Sequence, residues 1–192
     1  QQDTNYITID SINLYGTGEF SFSQKLDSPE LLHLHVKLDN GELIEDRITV
    51  FAEAGEIRLN ANLKEYDKTK ITGSENHEKI VEFYKFISRY DDQQVDLLLE
   101  LIQAQQDGDE ELATKLEKDR HDAKLRSYLG VINFAIQNKD YDVAAFVMLQ
   151  EAPEVHPRML DSVYKNLNSK VREGLYGKML EQHITSVKKN IE

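Results

Sequence analysis

The hydrophobic period of this chain changes once, between Gly73 and Asn76. Across residues 48–87 the apolar positions first alternate, as in half-buried strands. After Asn76 they recur at three and four, as on the inner face of a helix. A β half therefore precedes an α half. The expected fold class is α+β: a small antiparallel β-sandwich or open barrel over residues 1–73, followed by an all-helical domain of antiparallel helices over residues 74–192.

Within the β half, Ile7 and Ile9 alternate with Thr8 and Asp10, which predicts a strand over residues 6–14. Gly16-Thr17-Gly18 then reads as a turn, and residues 19–26 as a second strand with Phe20 and Phe22 on one face, directed into a core. Asp27-Ser28-Pro29 interrupts the pattern, because proline cannot donate to a central ladder. Leu32, Leu34, Val36 and Leu38 alternate with His33, His35 and Lys37, and Asp39-Asn40-Gly41 is a hairpin signal. Ile48 and Val50 continue the alternation and Phe51 follows them. Ala54-Gly55 is a tight turn, Ile57, Leu59 and Ala61 form another strand, and residues 70–72 close the last. Five or six short strands are expected in all.

In the α half, Ser74 or Asn76 is placed to cap the first helix, whose stripe is Ile80, Phe83, Tyr84 and Ile87. Asp91-Asp92 reads as the start of a second helix with Val95, Leu98, Leu99 and Ile102 as its stripe, widened by Leu97 and Leu101. Asp107-Gly108-Asp109 is a break: glycine suits the left-handed residue after a helix and aspartate suits an N-cap. A long helix is expected from Glu110 to about Gln137. Its charged first half forms one arm of a projecting hairpin with residues 93–106, and its denser second half enters the main core. A short apolar helix over residues 141–149, one opened by Pro157, and a last one from about Val171 to Lys189 complete the chain, with no fixed repeat period.

Composition narrows the chemistry. With 40% hydrophobic residues, the 192-residue chain has enough apolar surface for a core. A net charge of −12 repels phosphate and argues against nucleic acid as a partner. The absence of cysteine removes disulfides, thiol nucleophiles and thiolate metal sites together. No apolar run reaches the length of about 18 residues that a membrane span needs. The chain opens on Gln1-Gln2-Asp3-Thr4 without an initiator Met, from which a removed leader is expected.

Candidate sites are sparse. His33-x-His35 would place two rings on one face of a strand, close enough to share an ion, but no third ligand is placed with them; two exposed histidines explain the pattern equally well. His121, His156 and His183 are scattered. Gly16-x-Gly18 lacks the third glycine and the strand–helix setting of a dinucleotide site. The pairs Asp91-Asp92 and Glu110-Glu111 sit at expected helix starts, where carboxylates complement the dipole. Tyr84, Tyr90, Tyr128, Tyr141 and Tyr164 could line a ligand cleft between the halves or simply fill the core. No serine-hydrolase elbow, phosphate-binding loop or zinc-protease motif occurs. No catalytic, cofactor-binding or metal-binding residue is therefore assigned, and no cofactor is expected.

Phe51-Ala52-Glu53-Ala54-Gly55-Glu56-Ile57-x-Leu59, followed by Ile71-Thr72-Gly73-Ser74-Glu75-Asn76, resembles the signature of a bacterial family, domain of unknown function 4369. Gly18-Glu19-Phe20-Ser21-Phe22 resembles that family's early strand. Asp107-Gly108-Asp109 is similar to its hairpin tip, and the stretch from Leu167 through Tyr176-Gly177-Lys178-x-Leu180 to its closing helix. The resemblance implies a periplasmic or outer-membrane-associated cell-envelope module, secreted or lipid-anchored upstream of residue 1, of a kind usually followed by a thioredoxin-like (TlpA/ResA-type) domain. No C-x-x-C is present and the sequence ends about where that domain would begin, so no redox residue carries over. The expected function is a non-catalytic module that binds a protein partner or positions a redox domain. Two alternatives stand: the N-terminal fragment of a thiol–disulfide oxidoreductase, or a small-ligand binding module.

Overall fold

A strand buried on both faces ties the two halves of the molecule together. The computed structural model describes residues 7–14, 18–62 and 65–189. β1 (Glu30–Lys37) and β2 (Leu43–Ala52) form one antiparallel hairpin, and β3 (Arg58–Asn62) and β4 (Glu65–Thr72) form another. Ile48, Val50 and Ala52 of β2 pack with Leu32, Leu34, Ile57, Leu59 and Ile71, so the two hairpins stack face to face as a small sandwich. Phe51 points the other way, as the period of two requires, into the helical core. Its ring meets Phe146 and Tyr176 at 5.6 Å in T-shaped contacts, and its cross-strand partner Leu31 packs against the same core. The run Ile48-Thr49-Val50-Phe51-Ala52 departs from strict alternation because one face serves each neighbouring layer.

The two earliest expected strands do not form. Residues 7–14 are irregular and exposed, and residues 19–26 join no ladder. Phe20 and Phe22 touch each other at 5.7 Å but remain 37% and 40% exposed, outside any core. Only Leu26 of that segment packs against the sandwich. Four strands, rather than five or six, are present among the described residues. Tyr15, Gly16 and Thr17, which carry most of the expected first turn, lie outside those residues, as does Tyr6.

The helical half comprises α1 (Glu75–Gln106), α2 (Glu110–Gln137), α3 (Asp142–Glu151), α4 (Pro157–Asn166), α5 (Ser169–Glu173) and α6 (Leu175–Lys189). The period switch has a steric cause at Gly73. Its φ is +91°, and a β-carbon there would collide with the Glu56 carbonyl oxygen, so only glycine admits the turn from β4 into α1. Ser74 then caps α1 by accepting from the His77 N–H at 2.9 Å.

α1 runs through Asp91-Asp92 without a break, correcting the expected restart. Aspartate inside a helix costs only about half a kcal/mol, and neither Gly nor Pro is nearby. The side chain of Gln94 donates to the Arg120 carbonyl across the hairpin at 3.2 Å, holding α1 to α2 beyond that point. The hairpin turns at Asp107-Gly108-Asp109 as expected: Gly108 has φ +72° and Asp109 caps α2 through the Leu112 N–H. Its seam is Leu97, Leu101, Ala104, Ala113 and Leu116. The expected stripe of Val95, Leu98, Leu99 and Ile102 instead faces outward, because the alanines at 104 and 113 let the backbones approach on the other face. Pro157 opens α4 as expected. The expected last helix is two, α5 and α6, separated by extended backbone at Gly174.

α3 is the centre of this half. Asp142 through Met148 are all buried, and the helix is apolar on every side. Truncating Phe51, which joins the strands to this core, removes a side chain with no exposed surface. Phe51→Ala is expected to cost about 3–5 kcal/mol in urea unfolding, with strand and helix signals lost in one transition.

Candidate functional site

Ser74, Asn76 and Asp142 are the buried polar side chains among the described residues, at 2%, 3% and 4% exposure. All three lie where the strands meet the helices. Two of them are fully engaged. The Ser74 hydroxyl donates to the Phe51 carbonyl at 2.7 Å while accepting from His77. Asn76 donates from Nδ2 to Glu53 Oε2 at 2.6 Å and accepts on Oδ1 from the Val143 N–H at 3.0 Å. Glu53, from the turn after β2, also accepts from the backbone N–H groups of Glu75 and Asn76. A carboxylate thus satisfies the first turn of α1, where the dipole favours negative charge. Asn76 in turn supplies the cap that Tyr141, with no capping side-chain bond, does not give α3. His77 accepts from the Phe51 N–H at 3.4 Å, and burial lowers its pKa. Tyr176 accepts from the Leu31 N–H at 2.9 Å.

Asp142 differs. Its Oδ1 is buried without a hydrogen-bond partner. Burial pushes its carboxyl up to about 6 from 3.8, against the opposing pull of Lys170 and with a further push from Glu53. It lines a cleft of about 390 Å³ between the halves, whose other charged residues are Asp27, Glu53, Lys170 and Glu173. Asp142 is not among the residues expected to form a site, although the sequence marks it as the sole charged residue in an otherwise wholly apolar run, Asp142-Val143-Ala144-Ala145-Phe146-Val147-Met148.

The tyrosines considered for a cleft between the halves do not line it. Tyr90 borders a groove of about 730 Å³ between α1 and α2, with Phe86, Arg89 and Arg126. Arg89 lies 4.6 Å over the Phe86 ring. Tyr128 donates to Glu154 at 3.1 Å, Tyr141 precedes α3, Tyr164 packs on the helical core and Tyr84 is 46% exposed. His33 and His35 have ring centroids 6.5 Å apart, with His33 Nδ1 3.0 Å from the Thr49 hydroxyl. Among the described residues no group of three or more His, Cys, Asp or Glu is arranged to hold a metal ion. His156 caps α4 through the Arg158 N–H, His183 contacts the Pro153 carbonyl at 2.8 Å, and His121 is exposed. Asp91 and Asp92 are exposed inside α1, and Glu110 and Glu111 occupy the first turn of α2. Gly16 lies outside the described residues.

The residues that make the junction, from Phe51 and Glu53 to Gly73, Ser74 and Asn76, fall in the two stretches that carry the family resemblance. Residues 1–80 match the family described as Domain of unknown function (DUF4369). The DUF4369 match ends at Ile80, inside α1, so the hairpin tip and the closing helix lie beyond it. No curated protein and no solved structure matches the chain. Within the matched residues lie the glycine the turn requires, the serine cap, and the glutamate–asparagine pair that serves two helix N-termini.

The buried carboxyl makes stability depend on pH. Folding raises its pKa, so between about pH 4 and 6 the folded chain binds more protons than the unfolded one, and stability falls as pH rises through that window. Asp142→Asn is expected to raise stability at pH 8 by on the order of 1 kcal/mol, since the open side of the cleft screens part of the charge. The gain should vanish below about pH 4, as read from thermal melts across the range.

Proposed function

We propose that this chain is a non-catalytic cell-envelope module that binds a protein partner through the outer face of the α1–α2 hairpin. The observation that carries it is the stripe Val95, Leu98, Leu99 and Ile102, exposed by 54%, 37%, 60% and 41%. The four stand at i, i+3, i+4 and i+7 on an arm whose seam is already filled by Leu97, Leu101 and Leu116. A contiguous apolar stripe rimmed by charge is the usual mark of a docking face. Its rim is acidic, with Asp92, Asp96 and Glu100 interleaved and exposed. In a chain of net charge −12 such a rim disfavours a second copy of itself and favours a basic amphipathic helix.

The cell-envelope location rests on the family resemblance. A thioredoxin-like domain as neighbour rests on the resemblance. Among the described residues no helix is long and apolar enough to cross a membrane.

A photo-crosslinking residue at position 99, used in the native host, tests the reading, with the captured partner then purified and titrated. Leu98→Glu with Ile102→Glu is expected to weaken that purified complex at least tenfold while moving stability by no more than about 0.5 kcal/mol. Val81→Glu, at an equally exposed apolar position outside the stripe, should leave binding unchanged. Equal binding by all three forms, or a concentration-dependent homodimer crosslinked through position 99, would overturn it.

A further inference from the structure

The groove between α1 and α2 carries a charge opposite to that of the chain as a whole. Its basic residues are Lys79, Arg89 and Arg126, and its one carboxylate is Glu82. Lys79 and Glu82 hold each other at 2.8 Å, so the two guanidinium groups set the groove's net charge. Among the described residues neither arginine takes part in an ion pair, although the chain has 35 acidic side chains. Arg89 is stacked instead: its guanidinium lies 4.6 Å from the Phe86 ring centroid and 5.0 Å from that of Tyr90. Stacking holds the guanidinium plane and leaves its N–H edge without a protein partner.

The register of the two antiparallel helices brings both arginines to one end of the groove. Phe86 lies against Gly130, where a β-carbon would stand 2.8 Å from its Cζ, and further along α1 Gln94 meets the Arg120 carbonyl. Between these two crossings Arg89 and Tyr90 stand opposite Arg126. Lys79 and Glu82 fall at the other end, opposite Asn133 and Gln137. A glycine inside a helix costs about 1 kcal/mol relative to alanine. Here it lets the half-buried Phe86 ring lie on the α2 backbone and floor the groove. An apolar floor thus runs up to a pair of guanidinium groups, in a volume of about 730 Å³ that suits a small ligand.

We propose that this groove binds a small organic carboxylate with an apolar body, its head at Arg89 and Arg126 and its body along Phe86, Leu129 and Phe134. A guanidinium edge offers a carboxylate two parallel N–H bonds, and the half-buried rings offer its body an apolar bed. The charge of the chain limits the occupant. A polyanion meets the repulsion of the remaining acidic surface, whereas a single carboxylate answers chiefly to the local pair. The site faces α2, away from the outward stripe of α1, and does not depend on that stripe's docking a partner.

Titration of the purified chain at fixed pH and ionic strength, followed by backbone amide chemical shifts, tests the site. The probes are octanoate and phenylbutyrate, with acetate as a head without a body and phenylbutanamide as a body without a charge. The expected result is a saturable shift confined to the groove segments of α1 and α2 with at least one of the two longer carboxylates. Both controls should bind at least tenfold more weakly. A response to octanoate alone assigns an alkyl body, a response to phenylbutyrate alone a flat one, and a response to both an apolar body of either shape. Arg89→Gln and Arg126→Gln, each at an exposed position where folding tolerates the change, should weaken binding about tenfold. Lys85→Gln removes the same charge from α1 outside the groove and should leave binding unchanged. The proposal is overturned if neither longer carboxylate gives a saturable response in the groove, if either control binds as well as they do, or if both arginine variants bind like the parent.

Discussion

The carboxylate of Glu53 and the amide of Asn76 form the contact on which the arrangement of this molecule depends. Glu53 leaves β2 and satisfies the first backbone donors of α1, and Asn76 in that same turn satisfies the N-terminus of α3. Three elements that would each have unpaired polar groups at a buried junction thereby share two side chains. The amide orientation is fixed by its surroundings: the oxygen meets an N–H and the nitrogen meets a carboxylate, and the opposite orientation would oppose like groups at both ends. Buried hydrogen bonds of this kind add modest net stability, but removing one partner strands the other. The junction is therefore more demanding of residue identity than the apolar packing on either side.

Packing and polar contacts reinforce each other across β2. Its even positions close the sandwich and Phe51 enters the helical core, so the strand cannot shift register by one residue without exposing both apolar faces. Ser74 binds the Phe51 carbonyl and His77 its N–H, which places the backbone of that residue as firmly as its ring. The hairpin arm, by contrast, is held by a narrow seam of three buried residues near its tip. Rigid joint and slender arm suit a module that presents a surface away from its own core.

What the sequence discloses depends on whether local chemistry or distant packing decides. The hairpin turn at Asn40-Gly41, the tip at Asp107-Gly108-Asp109, the extent of α2 and the proline start of α4 were all legible, because each is set by backbone conformations that few residues tolerate. The continuity of α1 was not: Asp91-Asp92 resembles a helix start, yet nothing there forbids helix. Of the apolar positions expected on the α1 stripe beyond Asp92, only the flanking Leu97 and Leu101 enter the seam, because Ala104 and Ala113 join them there and both faces satisfy the helical period. The early strands failed for the opposite reason, an alternating pattern with no layer left to cover it. Asp142 is half legible: its place as the one charge in an apolar run is in the sequence, but the lack of a hydrogen-bond partner for its Oδ1 appears only when the elements around it are assembled.

The central claim is that Asn76 couples the strands to α3. Hydrogen exchange followed residue by residue in the parent chain and in Asn76→Ala tests it most directly. The account predicts that protection falls together in Ile48–Ala52 of β2 and in the first turn of α3, two segments that Asn76 joins from α1. A loss of protection confined to the first turn of α1, with β2 and α3 unchanged, would contradict it.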